Sequence, residues 1–427
     1  MTAAGPGATA VEDRAPKGAW RANRDFRLLW VGAGVSTLGM RVGAAAYPLL
    51  MVWHGGSALA AGLVGFAGLL PLLLVQLPAG AMVDRHDRRT VMILSDLAGA
   101  LAVGSLAVAL LFGRLWLPHV MAVAFVGGCA GIFYRIAERA AVRHVVDTAH
   151  LGSALGQYEA RTRAAGLLGQ PAGSAVFAAL RWAPFALNVL AHLIALTTLL
   201  LIRRPLGSER SAPARRLRTE IAEGLRWLWG QRFLRFAIGL VAGSNVVFQS
   251  INLGLVLVVR DNGGSPAELG LIGLLSGAGG VVGALAAVRT VRRLSPARVL
   301  LATFAVWATA TATMALTTRV PLLGALLAVT SCAGAVLNVA AGIYQVHITP
   351  DGLQGRVSSA AALLSSGANS LGAVLAGVVL TAWGTGPTFW YAAAAMTTMA
   401  ALALVTPAVR TATRTGEAPD RPDTEEL

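Results

Sequence analysis

Twelve times along this chain of 427 residues an apolar run appears that is long enough to cross about 30 Å of hydrocarbon. No other feature restricts the fold so far. A backbone in lipid must satisfy its own hydrogen bonds, which only helices and closed barrels do. A barrel strand needs only about ten residues, so runs of about twenty are helices. The predicted spans are 26–52, 57–82, 90–112, 115–135, 160–180, 183–202, 234–259, 266–290, 297–317, 321–345, 357–382 and 387–409. The fold class they define is an all-α polytopic membrane protein with twelve transmembrane helices. Composition agrees, since 13% of residues are charged against about 25% in soluble domains.

These spans divide the chain into a polar N-terminal tail (1–25), six helices (26–202), a charged linker (203–233), six more helices (234–409) and a C-terminal tail (410–427). The first tail lacks an apolar core with a cleavage site, so no removable signal peptide is expected. The last carries "TRTGEAPDRPDTEEL", a polar sequence expected to be disordered. Within the linker, "RTEIAEGLRWLWGQRF" sets Ile221, Leu225, Leu228 and Trp229 on one helical face, which predicts an amphipathic helix at the membrane surface.

A net charge of +15 raises the question of nucleic acid, and its distribution answers it. All but five of the 35 Lys and Arg fall in the N-terminus, the even-numbered loops and the C-terminus or at the span ends that adjoin them; the exceptions are Arg41, Arg114, Arg181, Arg260 and Arg319. Cytoplasmic loops retain positive charge during insertion. Both termini are therefore expected in the cytoplasm, in a cell or plasma membrane, and no nucleic-acid partner is expected. Cys129 and Cys332 both lie inside spans, and no cluster has metal-ligand spacing, so neither a disulfide framework nor a metal is expected.

The chain repeats itself. A shift of 208 residues lays "NRDFR" (23–27) on "QRFLR" (231–235), and "SALAAGLVG" (57–65) on "SPAELGLIG" (265–273). "AGIFY" (130–134) resembles "AGIYQ" (341–345) at a shift of 211. Order and offset together predict two pseudo-symmetric six-helix bundles.

After the second span comes "GAMVDRHDRR" (80–89), a dense charge cluster at the end of an apolar helix. With the six-plus-six pattern and the basic central linker, it resembles the major facilitator superfamily over roughly residues 20–410. The family pattern in this loop is Gly-x-x-x-Asp-Arg-x-Gly-Arg-Arg/Lys. Gly80, Asp84, Arg85, Arg88 and Arg89 match it, and Asp87 replaces the second glycine. "NRDFRLLW", "DRHDRRTVMILSDL" and "TPDGLQGRVSS" are most similar to the bacterial drug and siderophore exporter branch, which includes macrolide and enterobactin exporters. Gly80 would let the second helix approach a neighbour closely. Asp84 would meet a helix N-terminus or an arginine of the other half and latch the cytoplasmic side, the alternative being a simple charge anchor. Exporters of the superfamily often carry Gly-Pro-x-x-Gly-Gly in the fifth helix. Here "GQPAGS" (169–174) keeps Gly169 and Gly173, with Pro171 one place late as the expected kink.

Ionisable and polar residues inside spans are costly, so they are candidates for the transport path. Arg41 lies near mid-depth in the first span, and the repeat maps it onto Gln249 in the seventh. Asn245, Gln249 and Asn252 share one helical face, as do Ser366, Asn369 and Ser370. A cavity wall or a helix–helix contact would produce either stripe. Asn338 and Gln345 are equally ambiguous. Asp96, the one acid well inside a span, is either a proton carrier or the partner of Arg88, Arg135 or Arg139. Glu159 with Arg161 and Arg163 is either a gate cluster or a coupling site. His192 would titrate near neutral pH or simply be hydrogen-bonded.

The resemblance implies a secondary transporter exporting amphiphilic small molecules by alternating access, with proton antiport, no cofactor and a monomeric state. A pocket walled by Trp, Phe, Leu and Met suits such substrates. No phosphate loop GxxxxGK[ST] is present, so ATP is not the direct energy source. A siderophore or lysolipid exporter or flippase is the alternative on the same fold, distinguished by which ligand class binds. A non-transporting sensor is a third reading, and no catalytic set of side chains supports an enzyme.

Overall fold

The structure, a computed structural model, describes residues 23–409 apart from 55, 147–149, 204–205, 207–216 and 408. Most of the N-terminal tail, the C-terminal tail and the first part of the linker lie outside the described residues. Fourteen α-helices follow: α1 Arg24–Trp53, α2 Ala58–Leu74, α3 Gln76–Arg85, α4 Arg88–Leu111, α5 Leu117–Val145, α6 Leu151–Ala179, α7 Ala183–Leu201, α8 Leu217–Gly230, α9 Arg232–Asp261, α10 Pro266–Val291, α11 Pro296–Ala315, α12 Val320–Ile348, α13 Gln354–Trp383 and α14 Thr385–Val405. Each predicted span is helical over most of its length. Among the described residues ten helices are long and apolar enough to cross a membrane alone, and α2 with α3 forms an eleventh span if the bent pair counts as one. The 29-residue α6 is long enough as well, but Glu159, Arg161, Arg163 and Gln170 lower its apolar character.

The helix ends are chemically defined. Asn23 caps α1 through Asp25 N (3.0 Å) and donates to Val145 O at the end of α5 (2.9 Å). The repeated serines do the same work in each half: Ser57 caps α2, and Ser265 forms a capping box with Glu268 on α10. Gly384 turns α13 into α14 at φ +74°, a backbone region that side chains with a Cβ rarely enter.

Three expectations need correction. The second span is not one straight helix: it breaks at Val75 and bends by 59°. Pro78 has no N–H for the Leu74 carbonyl, which breaks the hydrogen-bond ladder there. The loop between the fourth and fifth spans is mostly helix, because α5 continues to Val145 and α6 begins at Leu151. The linker helix α8 is no free interfacial connector. Its Leu228 is buried in the core of the second half, Gly224 lies against the Arg356 carbonyl, and Glu223 pairs with Arg356 at the start of α13. Trp229 is exposed, and the Ile221 side chain lies outside the described residues.

The end of the molecule where α1 begins is its proximal face, and the opposite end its distal face. Three apolar cores occupy the molecule. One, around Phe26, Met92, Tyr134 and Leu199, belongs to the first half at the proximal side. Another, around Phe233, Phe304, Trp307 and Tyr344, belongs to the second half at the proximal side. The third is distal and shared, joining Leu49, Leu50, Leu106 and Phe185 to Ile251, Leu255, Leu323 and Phe389. The halves are thus fused at one end and separate at the other.

Candidate functional site

The distal fusion is made by residues that the repeat matches. Gly62 on α2 meets Ala373 and Gly377 on α13, and a Cβ there would stand 2.5 Å from the Ala373 carbonyl oxygen. Its repeat partner Gly270 on α10 meets Pro171 and Ser174 on α6. Arg260 donates to Val52 O at 3.2 Å, a contact between two positions that are themselves 208 residues apart. Gly273 and Gly277 extend the α6–α10 contact inward to Gln170 and Leu167. Small residues are what permits backbones to meet this closely.

Below this seal lies a cavity of two adjoining lobes, about 390 Å³ and about 450 Å³. Arg41, Ala44, Pro48, Gly65, Gln249 and Ala373 line both lobes. The two residues that the repeat pairs, Arg41 and Gln249, therefore face one space from opposite halves. Gln249 also donates to Asn369 Oδ1 at 3.3 Å, and Asn369 donates to Ser365 O. Asn252 lines the first lobe, whereas Asn245 lines neither. Ser370 donates its hydroxyl to Ser366 O along α13 itself, and Gln345 donates to Ser358 Oγ. The expected Trp and Phe wall is absent among the described lining residues. The aromatic rings there are Tyr47, Tyr134 and Tyr158 of the second lobe, and the rest is mainly Ala, Gly, Leu and Val.

The segment GQPAGS sets this geometry. Gly169 and Gly173 stand one turn apart on α6 and press on α1, where a Cβ at Gly169 would lie 2.3 Å from the Arg41 Cβ. Gln170 and Ser174 line the first lobe. The helix runs unbroken through Pro171 from Leu151 to Ala179, so in this conformation the segment is a packing surface more than a kink.

Under the second lobe the first half holds a buried polar network. Asp96 on α4 is 1% exposed, and its Oδ1 accepts from Ser36 of α1 (3.0 Å) and hydrogen-bonds His192 Nδ1 of α7 (2.8 Å). Its Oδ2 has no partner. The expected arginine partner is therefore replaced by a histidine 96 positions away. His192 lines the cavity; Asp96 does not. Arg161 of α6 pairs with Glu138 of α5 and donates to Trp30 O at 2.9 Å. Glu159 is exposed and takes no part, so the predicted Glu159–Arg161 cluster does not form. Glu138 escapes a reading of the sequence because it falls just beyond the predicted fourth span. Asn188, also buried beside the cavity, fits against Gly39 and Gly43 of α1.

The charged loop is split in its duties. Asp87, the departure from the family glycine, caps α4 by accepting from Thr90 N at 2.9 Å. Arg88 is buried and meets His144 of α5, while Arg89 donates to Leu200 O at the end of α7 (2.9 Å). Asp84 and Arg85 are exposed, and neither has an ion pair among the described residues. Gly80 has nothing within 4 Å of where its Cβ would be. Among the described residues neither the close approach expected at Gly80 nor the ion pair expected at Asp84 is made in this conformation.

Two helical bundles related by sequence, fused at one face and sharing a mid-depth cavity, define a membrane transporter of the major facilitator type. The chain belongs to the family described as transmembrane secretion effector, whose pattern it matches over residues 18–424. It is 30% identical over 405 residues to the multidrug efflux pump Tap of Mycolicibacterium fortuitum, covering 90% of this chain and 95% of that one. Identity to Tap of Mycobacterium tuberculosis is 31% over 405 residues, covering 88% and 92%. Macrolide efflux protein A of Streptococcus pyogenes is 27% identical over 266 residues, covering 61% and 65%. The fold matches that of the nucleoside transporter NupG at TM-score 0.71 and 12% identity, covering 88% and 98%. It also matches a bacterial homologue of the lysosomal transporter Spinster at TM-score 0.68 and 14% identity, covering 92% and 95%.

Proposed function

We propose that this chain exports amphiphilic small molecules across a bacterial plasma membrane by alternating access, in exchange for protons. The observation that carries the reading is a cavity lined by both halves and sealed distally by apposed glycines and a shared apolar core, while each half keeps its own core at the proximal end. Among the described residues most Arg lie at the proximal side, with Arg114, Arg181, Arg260 and Arg319 at the distal side, and the positive-inside rule supports a cytoplasmic proximal side with both termini there. The conformation described is then the one that loads cargo from the cytoplasm, and rocking of one repeat against the other would expose it outside. The family and the efflux-pump relatives support export. Asp96 and His192 are the coupling pair in this reading, since His192 reaches the cavity while Asp96 retains an unpartnered oxygen. A monomer suffices, because the cavity is complete within one chain.

The test uses everted membrane vesicles, with erythromycin, ethidium and the anionic amphiphile 4-(1-pyrenyl)butyrate as probes. Acidifying the lumen should drive uptake of at least one probe, and a protonophore should abolish it. Uptake that ignores the protonophore would remove proton exchange, and absence of uptake for all three probes would remove this export reading.

A further inference from the structure

We infer that the central cavity selects amphiphiles bearing an acidic group, a carboxylate or its equivalent, over lipophilic cations. The inference names the substrate class of the site proposed above and rests on that reading. Two guanidinium groups line the cavity, Arg41 from α1 and Arg135 from α5. Each lies within the field of the other, and neither has a hydrogen bond or ion pair to another described residue. Glu138, the sole acidic residue lining either lobe among those described, is already held by Arg161. Asp96 is withdrawn behind His192 and Ser36. The first lobe adds no charge beyond Arg41 among its described lining residues, only the amides of Gln170, Gln249 and Asn252 and the Ser174 hydroxyl amid apolar side chains.

Both arginines are exposed to the cavity, and their attraction for an anion strengthens as water leaves it. A guanidinium presents a planar fork that fits a carboxylate through two parallel hydrogen bonds. An occupant with an acidic head and an apolar body would supply the missing negative charge and fill the Leu- and Ala-lined remainder. A cationic amphiphile would bring a third positive charge beside Arg41 and Arg135. The arrangement therefore opposes it directly, as well as favouring its rival.

The experiment compares three probes of one shape, 4-(1-pyrenyl)butyrate, its methyl ester and 4-(1-pyrenyl)butylamine. Binding to the full chain in nanodiscs is read by fluorescence, with empty nanodiscs subtracted. The butyrate should bind about tenfold or more tighter than the ester and the amine, the range of a charge-assisted hydrogen bond. Arg41→Gln and Arg135→Gln should each reduce the ratio of butyrate to ester affinity, and Arg41→Lys should retain part of it. An amine that binds as tightly as the butyrate overturns the inference, as does a preference that survives the double Gln variant. If a Gln variant loses the ester as well, its fold is damaged, and the ranking of the three probes on the unaltered chain decides. Ester transport without anion preference overturns this inference and leaves export standing; butyrate preference without transport does the reverse.

Discussion

Asp96 shows how much chemistry one side chain can concentrate. Its carboxylate is closed off from solvent, carries two partners on one oxygen and none on the other, and touches the cavity only through His192. If it carries the coupling proton, Asp96→Asn should lower proton-driven uptake about tenfold, the size of a typical coupling free energy. Exchange of substrate without a proton gradient should persist, and equal loss of both would make Asp96 purely structural. Glu138 has a different task. Its side chain is 3% exposed and faces an equally enclosed Arg161, so Glu138→Ala would leave a buried guanidinium without its counter-ion. That should cost about 3–5 kcal/mol, measured as a fall in thermal midpoint of the purified protein. Neither pairing is legible in the sequence. Asp96 and His192 each stand out as polar residues in apolar runs, but nothing local joins positions 96 apart. Proximity in sequence points Arg161 to its near neighbour Glu159, when α5 in fact brings Glu138 to it.

At the scale of elements, periodicity and apolar length reveal every span, because burial in lipid leaves a signal in each helix separately. What they do not reveal is where helices continue into water or break within lipid. The ends of α5 and α6 are as charged as any loop, so apolar length alone cannot find them. The bend after α2 has its signal in Pro78. The repeat is more informative than any single motif, since the glycines it matches, Gly62 and Gly270, prove to be the contact points between halves. Gly62→Leu should therefore wedge α2 from α13 and shift the population toward the distally open form. Spin-label distances across the distal face would report it, and an unchanged distance distribution would remove the wedge argument. Gly279 and Gly283 make a different contact, within one half, where a Cβ at Gly279 would stand 2.1 Å from the Ala328 carbonyl oxygen. Gly279→Leu should destabilise the protein by about 1–3 kcal/mol through overpacking, with no preference between conformations.

Across the whole molecule, each half keeps a private core at the proximal end and shares one at the distal end. Closing the proximal side must bring new surfaces together, and Asp84 and Arg85 are among the charges there that have no ion pair among the described residues. Asp84→Asn should slow transport while expression, insertion and the proximally open form are retained; transport at the original rate would reduce the loop to an anchor. The two ends of the transporter consequently differ in dielectric character. The distal seam consists of backbone atoms, apolar and uncharged polar side chains and, among the described residues, one arginine–carbonyl bond, contacts that dissolved ions hardly affect. The proximal contacts would be formed by solvated charges, whose attraction fades beyond about 8 Å at physiological ionic strength. Added salt should therefore loosen one end and spare the other, holding the molecule in the form described and slowing turnover through a single limb of the cycle.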